Sequence, residues 1–298
     1  MQYQEMLNKI SQGQGFIAAL DQSGGSTPKA LKGYGISEGE WCDEAEMFSL
    51  IHAFRCRIMS SPAFTGDKVL GAILFESTMD GLVGGSPAPH ALIARGVVPF
   101  VKVDKGLEVE RNGVQLMKPI PDLQRLLDRA KQLGVFGTKE RSVINLANRE
   151  GISAIVTQQF EVANQVLTSG LIPIIEPEIN IASPERAEAD GMLFEELMTQ
   201  LDALGGDMQV MLKLSLPAQA GRFDALVNHP RVLRVVALSG GYERQEACER
   251  LAQNQGIIAS FSRALLEDLR VHMNDAEFDH ALGQAIDEIF CASLDRAA

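Results

Sequence analysis

Short apolar runs recur along the chain, separated by longer stretches in which apolar residues return every three or four positions. Eight runs stand out, at 15–21, 69–77, 98–104, 134–141, 171–178, 209–216, 232–239 and 256–261. Between them, 122–133, 152–169 and 244–253 carry helical periodicity. Strands that are apolar throughout, alternating with amphipathic helices, predict a parallel sheet whose crossovers cover both faces. Eight such strands predict a closed (β/α)₈ barrel, here as a single domain over residues 1–298 with an additional C-terminal helix. An open doubly wound sheet is the alternative, but no Gly-x-Gly-x-x-Gly follows the first run to mark a dinucleotide site.

Composition narrows the function. The 298 residues leave room for one barrel of about 250 residues with decorations. A balance of 39 acidic against 27 basic residues, net −12, disfavours nucleic acid and anionic membranes as partners, so an anionic ligand needs a local cluster of cations. No apolar run is long enough to span a bilayer, and the polar start Met1-Gln2-Tyr3-Gln4-Glu5 lacks signal-peptide character, so a cytoplasmic protein is expected. Cys42, Cys56, Cys248 and Cys291 are scattered, and the five histidines are isolated, so no metal site or cofactor is expected. Phe278, Leu282, Ile286, Ile289 and Phe290 form an apolar stripe that either packs the last helix on its own barrel or serves a homo-oligomer.

The chemistry lies at the ends of the runs, where active sites of such barrels gather. In Val210-Met211-Leu212-Lys213-Leu214-Ser215-Leu216, alternation puts Met211, Lys213 and Ser215 on one side of an apolar strand, with Lys213 its one charged group. A desolvated lysine loses its proton readily and becomes a nucleophilic amine; a core lysine held by a carboxylate would give the same pattern. Other strands add to it. The first run ends in Asp21, ahead of Gln22-Ser23-Gly24-Gly25-Ser26; Lys102 and Asp104 share a face, as do Lys139 and Arg141, and Glu176 and Glu178. The seventh ends in Ser239-Gly240-Gly241, and the eighth runs into Arg263. Each feature alone fits a turn or a solvated strand face. All of them pointing into one barrel mouth would make a charged core that packing does not require.

In this set of motifs, in this order, the sequence resembles class I fructose-bisphosphate aldolase, and Ala19-Leu20-Asp21-Gln22-Ser23-Gly24-Gly25-Ser26 with the short length resembles its compact bacterial form. The likeness runs from about Gly15 to Phe290. It implies a metal-independent lyase of glycolysis and gluconeogenesis, acting on a sugar bisphosphate. By the resemblance, Lys213 is the Schiff-base lysine, Glu176 the general acid and base with Glu178 beside it, Asp21 the group that orients substrate and assists proton transfer at the C4 hydroxyl, and Lys139 the second lysine, which stabilises the carbinolamine and keeps Lys213 deprotonated. Ser239, Gly240, Gly241 and Arg263 match the site for the phosphate near C1, and Ser26, Lys102 and Arg141 contributors at the C6 end.

The sequence also departs from the larger members of that family. They carry a C-terminal tail ending in tyrosine, whereas this sequence closes on Leu294-Asp295-Arg296-Ala297-Ala298; Ala30 stands where they have arginine, and Phe261-Ser262 where they have Tyr-Gly. Rival readings are a Schiff-base lyase for another phosphorylated keto sugar, a barrel that binds without turnover, and a zinc aldolase, which would need a histidine cluster.

Overall fold

Each of the eight apolar runs forms a strand in the computed structural model, which describes residues 1–294. They are β1 Phe16–Leu20, β2 Val69–Leu74, β3 Val98–Lys102, β4 Gly137–Ile144, β5 Ile172–Ile179, β6 Val210–Ser215, β7 Val232–Leu238 and β8 Ile257–Ala259. All neighbours pair in parallel and in sequence order. The Ala19 amide donates to the Phe261 carbonyl at 3.1 Å, which brings the last strand back to the first. The open-sheet alternative is thereby set aside. The longer helices are α1 Tyr3–Gln12, α2 Ser26–Tyr34, α3 Glu44–Ser60, α4 Ala88–Ala94, α5 Leu123–Gln132, α6 Arg149–Thr168, α7 Arg186–Ala203, α8 Arg244–Leu251 and α9 Asp275–Ala292.

Strand alternation divides the buried apolar residues into two bodies. Val210, Leu212 and Leu214 of β6 join the layer between sheet and helices, with Phe16, Ala18 and Leu20 of β1. Met211 instead joins Ile17, Ala19, Phe100 and Ile174 in a second body inside the barrel. The N-terminal end of that interior is plugged by Met6 and Ile10 of α1. Arg234 ties the plug down, donating to the Ile10 and Gly13 carbonyls at 2.9 Å each. With the lower half filled by apolar side chains, the polar residues further along the strands have only the opposite mouth to occupy.

Both ends of β4 lie three residues from the run read in the sequence, each for a local reason. β4 begins at Gly137 rather than 134, because Gly134 at φ +74° ends the turn after α5 and the Val135 amide still donates back to Ala130. It continues to Ile144 rather than 141, because the short strand Val114–Gln115 pairs with its end in antiparallel sense. Gly137 itself is required by packing: a Cβ there would lie 2.1 Å from the Ile172 carbonyl oxygen.

The C-terminal helix α9 starts at a capping box, with Asn274 accepting from the Glu277 amide and Glu277 from the Asn274 amide. Phe278, Leu282, Ile286 and Ile289 are buried in this chain's own core, and Phe290 packs against it. Among the described residues no helix is long and apolar enough to cross a membrane. The segment compared above with a tyrosine tail, Asp295 to Ala298, lies outside the described residues.

Candidate active site

Inward positions on adjacent strands come level with one another through the register. Lys102 of β3 is paired with Lys139 of β4, and Arg141 of β4 with Glu176 of β5. Lys213 follows Met211 on the inner face of β6. The eleven residues singled out in the sequence, Asp21, Ser26, Lys102, Lys139, Arg141, Glu176, Lys213, Ser239, Gly240, Gly241 and Arg263, all line one cavity of about 1040 Å³ at this mouth.

At its base, two lysines and two carboxylates form a continuous chain. Lys139 Nζ lies 2.6 Å from Asp21 Oδ2 and 2.8 Å from Glu176 Oε2, and Glu176 Oε1 lies 3.1 Å from Lys213 Nζ. All four side chains are at most a tenth exposed, so their charges act with little screening. Burial alone would push the Asp21 carboxyl up, but Lys139, Lys213 and Lys102 overcome it and hold it well below the usual carboxylate range. Glu176 is also lowered, the cations Lys139 and Lys213 outweighing its burial. Burial works against the Lys139 ammonium, yet Asp21, Glu176 and Asp104 hold its pKa above the ordinary lysine value. Lys139 is therefore a fixed cation between two carboxylates, and Glu176 offers its other oxygen to Lys213.

The upper walls are more self-contained than the sequence suggests. Lys102 reaches the cavity but donates to Asp104 Oδ1 at 2.5 Å and to the Asp104 carbonyl at 3.0 Å. Burial is the larger influence on Lys102 and lowers its pKa despite Asp104. Arg141 is paired with Glu178, so Glu178 answers Arg141 rather than standing free beside Glu176. The Ser26 hydroxyl closes a turn, accepting from the Ser23 amide at 2.9 Å and donating to its carbonyl at 2.8 Å.

Across the mouth, the Ser239–Tyr242 turn sets two glycines at positive φ, +63° for Gly240 and +124° for Gly241. A Cβ at Gly241 would meet the Arg263 guanidinium at 3.2 Å, so the bare backbone lets the turn and the guanidinium share one corner of the cavity. Lys29, absent from the sequence-based set, also lines the cavity. It lies one helical turn beyond Ser26, and that spacing was the available signal. Neither Lys29 nor Arg263 is ion-paired among the described residues. No group of three or more histidine, cysteine or acidic side chains among them could hold a metal ion. The arrangement can desolvate an amine, exchange protons with it through Glu176, and hold anionic groups at the rim.

Comparison with known proteins shows the family and the fold. The sequence model described as fructose-bisphosphate aldolase class-I matches residues 4–213. Among solved structures, the chain is similar to a fructose-bisphosphate aldolase from Plasmodium falciparum, with TM-score 0.72 and 20% identity over 98% of this chain and 94% of the other. An archaeal fructose 1,6-bisphosphate aldolase gives 0.56 at 12% identity, covering 97% and 100%. An archaeal enzyme with its catalytic lysine covalently bound to the carbinolamine intermediate gives 0.53 at 12%, with the same coverage. These likenesses concern the fold; Ser239, Gly240, Gly241 and Arg263 lie beyond the matched span of the family and stand on geometry.

Proposed function

Because the chain belongs to the class-I fructose-bisphosphate aldolase family, we propose that its barrel mouth cleaves fructose 1,6-bisphosphate reversibly to dihydroxyacetone phosphate and glyceraldehyde 3-phosphate through a Schiff base on Lys213. The observation that carries the reading is Glu176 bridging two buried amines, 3.1 Å from Lys213 and 2.8 Å from Lys139.

Lys213, as the free amine, adds to the C2 carbonyl of the open-chain sugar. The developing alkoxide takes a proton from its surroundings, where Lys139 supplies a fixed positive charge. Glu176 takes the proton that the attacking nitrogen now carries and passes it to the carbinolamine hydroxyl, so that water leaves and the iminium forms. A carboxylate, Asp21 with Glu176 across Lys139, takes the proton from the C4 hydroxyl. The C3–C4 bond breaks, its electron pair moves to the iminium nitrogen as an enamine, and the aldehyde is released. Protonation at C3 and hydrolysis return dihydroxyacetone phosphate and free Lys213. No step draws on a metal or cofactor.

The two phosphates find donors at opposite sides of the mouth. Arg263 with the backbone amides of Ser239, Gly240 and Gly241 receives the phosphate near C1. Ser26, Lys102 and Arg141, with Lys29, receive the C6 end. Because Lys102 and Arg141 are already paired, they contribute by sharing their hydrogen bonds with the phosphate. The same reaction run in both directions serves glycolysis and gluconeogenesis.

The test is a coupled cleavage assay with fructose, tagatose and sedoheptulose bisphosphates side by side, for wild type and Lys213→Ala. Preference for fructose 1,6-bisphosphate, lost in Lys213→Ala, is expected. Full activity in Lys213→Ala overturns the reading, and preference for another ketose bisphosphate corrects the substrate.

A further inference from the structure

The largest fully buried polar side chain among the described residues belongs to no part of the chemistry above. Arg55 of α3 is 1% exposed and does not line the cavity. Its guanidinium donates to the Gln22 carbonyl at 2.6 Å, to Gln22 Oε1 at 3.1 and 3.3 Å, and to Thr78 Oγ1 at 2.8 Å. Every one of these acceptors is neutral. Burial lowers its pKa to about 10, even with Asp21 within electrostatic reach. A buried cation without a bound carboxylate is a costly way to fill a core, and an apolar side chain would serve packing better. What this one secures is the orientation of Gln22.

Gln22 joins the two sides of the mouth. With its Oε1 held by Arg55, its amide nitrogen is turned to donate to the Ala19 carbonyl at 3.1 Å and to Ser262 Oγ at 2.7 Å. Gln22 follows Asp21 in the chain, and Ser262 precedes Arg263. One guanidinium thus fixes a residue that links the loop bearing Asp21 to the loop bearing Arg263, and Thr78 anchors it to the short helix Glu76–Met79 that follows β2. We propose that Arg55 is a positioning residue for the aldol reaction, acting through Gln22 to keep Asp21 and Arg263 in register so that both engage one substrate. The proposal rests on the reading of Asp21 and Arg263 as substrate contacts.

Arg55→Met, Arg55→Lys, Gln22→Ala and the Arg55→Met/Gln22→Ala pair test it. Steady-state kcat and KM are expressed per active site that borohydride can trap on Lys213, and thermal unfolding is followed alongside. Misplacing a reacting group by about 1 Å costs on the order of 10²-fold, so Arg55→Met and Gln22→Ala should each lower kcat/KM by about that factor, with kcat falling and KM rising together. The pair should lose little beyond either single change, because both act along one path. Arg55→Lys should recover part of the loss.

Arg55→Met with kcat/KM per trapped site within about threefold of wild type, whatever its melting temperature, overturns the proposal. So do losses that add in the pair. If Arg55→Met does not fold, Gln22→Ala carries the same expectation alone. Absence of any adduct on wild-type Lys213 would instead strike the aldolase reading itself, which separates the two failures.

Discussion

Glu176 Oε1 stands 3.1 Å from the amine of Lys213, with both side chains no more than 5% exposed. At that distance, in a site with little solvent, a carboxylate can take the amine's proton and return it to the oxygen that leaves C2. Replacing it by an amide of the same shape keeps the contact and removes the proton transfer. Glu176→Gln is expected to lower kcat by about 10²- to 10⁴-fold with KM much less affected. Rapid-quench kinetics with fructose 1,6-bisphosphate check this; unchanged kcat would place the proton transfer elsewhere.

Lys139 is the cation on which both carboxylates depend. Lys139→Met leaves Asp21 and Glu176 buried without their shared partner, which is expected to destabilise the protein by about 3–5 kcal/mol. The sign with pH follows from the lowered pKa of both carboxylates. Their contribution is present above the unfolded carboxylate values near 4 and is lost as pH falls through the folded ones. The stability gap between wild type and variant should therefore be widest at neutral pH and narrow below about pH 4. Urea unfolding across that range measures it.

Glu140 shows the opposite case, on the outer face of β4. It is fully buried, neither carboxylate oxygen has a hydrogen-bond partner among the described residues, and burial, with Asp104 and Glu176 nearby, pushes its pKa well above the ordinary value despite Lys139. A raised folded pKa costs stability as pH rises from the unfolded value, about 4.3, toward the folded one. Glu140→Gln should raise the unfolding midpoint at pH 7, and the gain should disappear near pH 4. A pH-independent difference would show that Glu140 is not held neutral in the folded protein.

Gly137 tests the packing beneath the site. Its inner position has no room for a methyl group, with the Ile172 carbonyl 2.1 Å and the Phe100 ring 2.9 Å from a Cβ. Gly137→Ala should cost about 3 kcal/mol or more, with β4 displaced and Lys139 and Arg141 carried with it. Thermal melts with activity per folded molecule check both consequences.

The strands and the site were legible in the sequence for one reason. Period-two alternation decides which side chains enter a barrel, and Lys213, Glu176, Lys139 and Asp21 interrupt apolar strands on the inner face, where polar residues have no packing role. Partnership was less legible. Alternation put Glu176 and Glu178 together, but the cross-strand neighbour took Glu178 into a pair with Arg141. Lys102 likewise turned to Asp104, two residues along its own strand direction. Arg55 and Lys29 sit on helices, where a charged side chain reads as a solvated face until the packing of that helix is known. Glu140 escaped notice because the outer face of a strand is polar or apolar according to what covers it, and here no part of Glu140 reaches solvent.

The most direct measurement is borohydride reduction of the protein with dihydroxyacetone phosphate in the presence of EDTA, followed by peptide mass spectrometry. One covalent adduct is expected, on Lys213, formed in wild type and absent in Lys213→Ala. No adduct, together with cleavage activity abolished by the chelator, would contradict the Schiff-base reading and make Lys213 a core lysine held by Glu176.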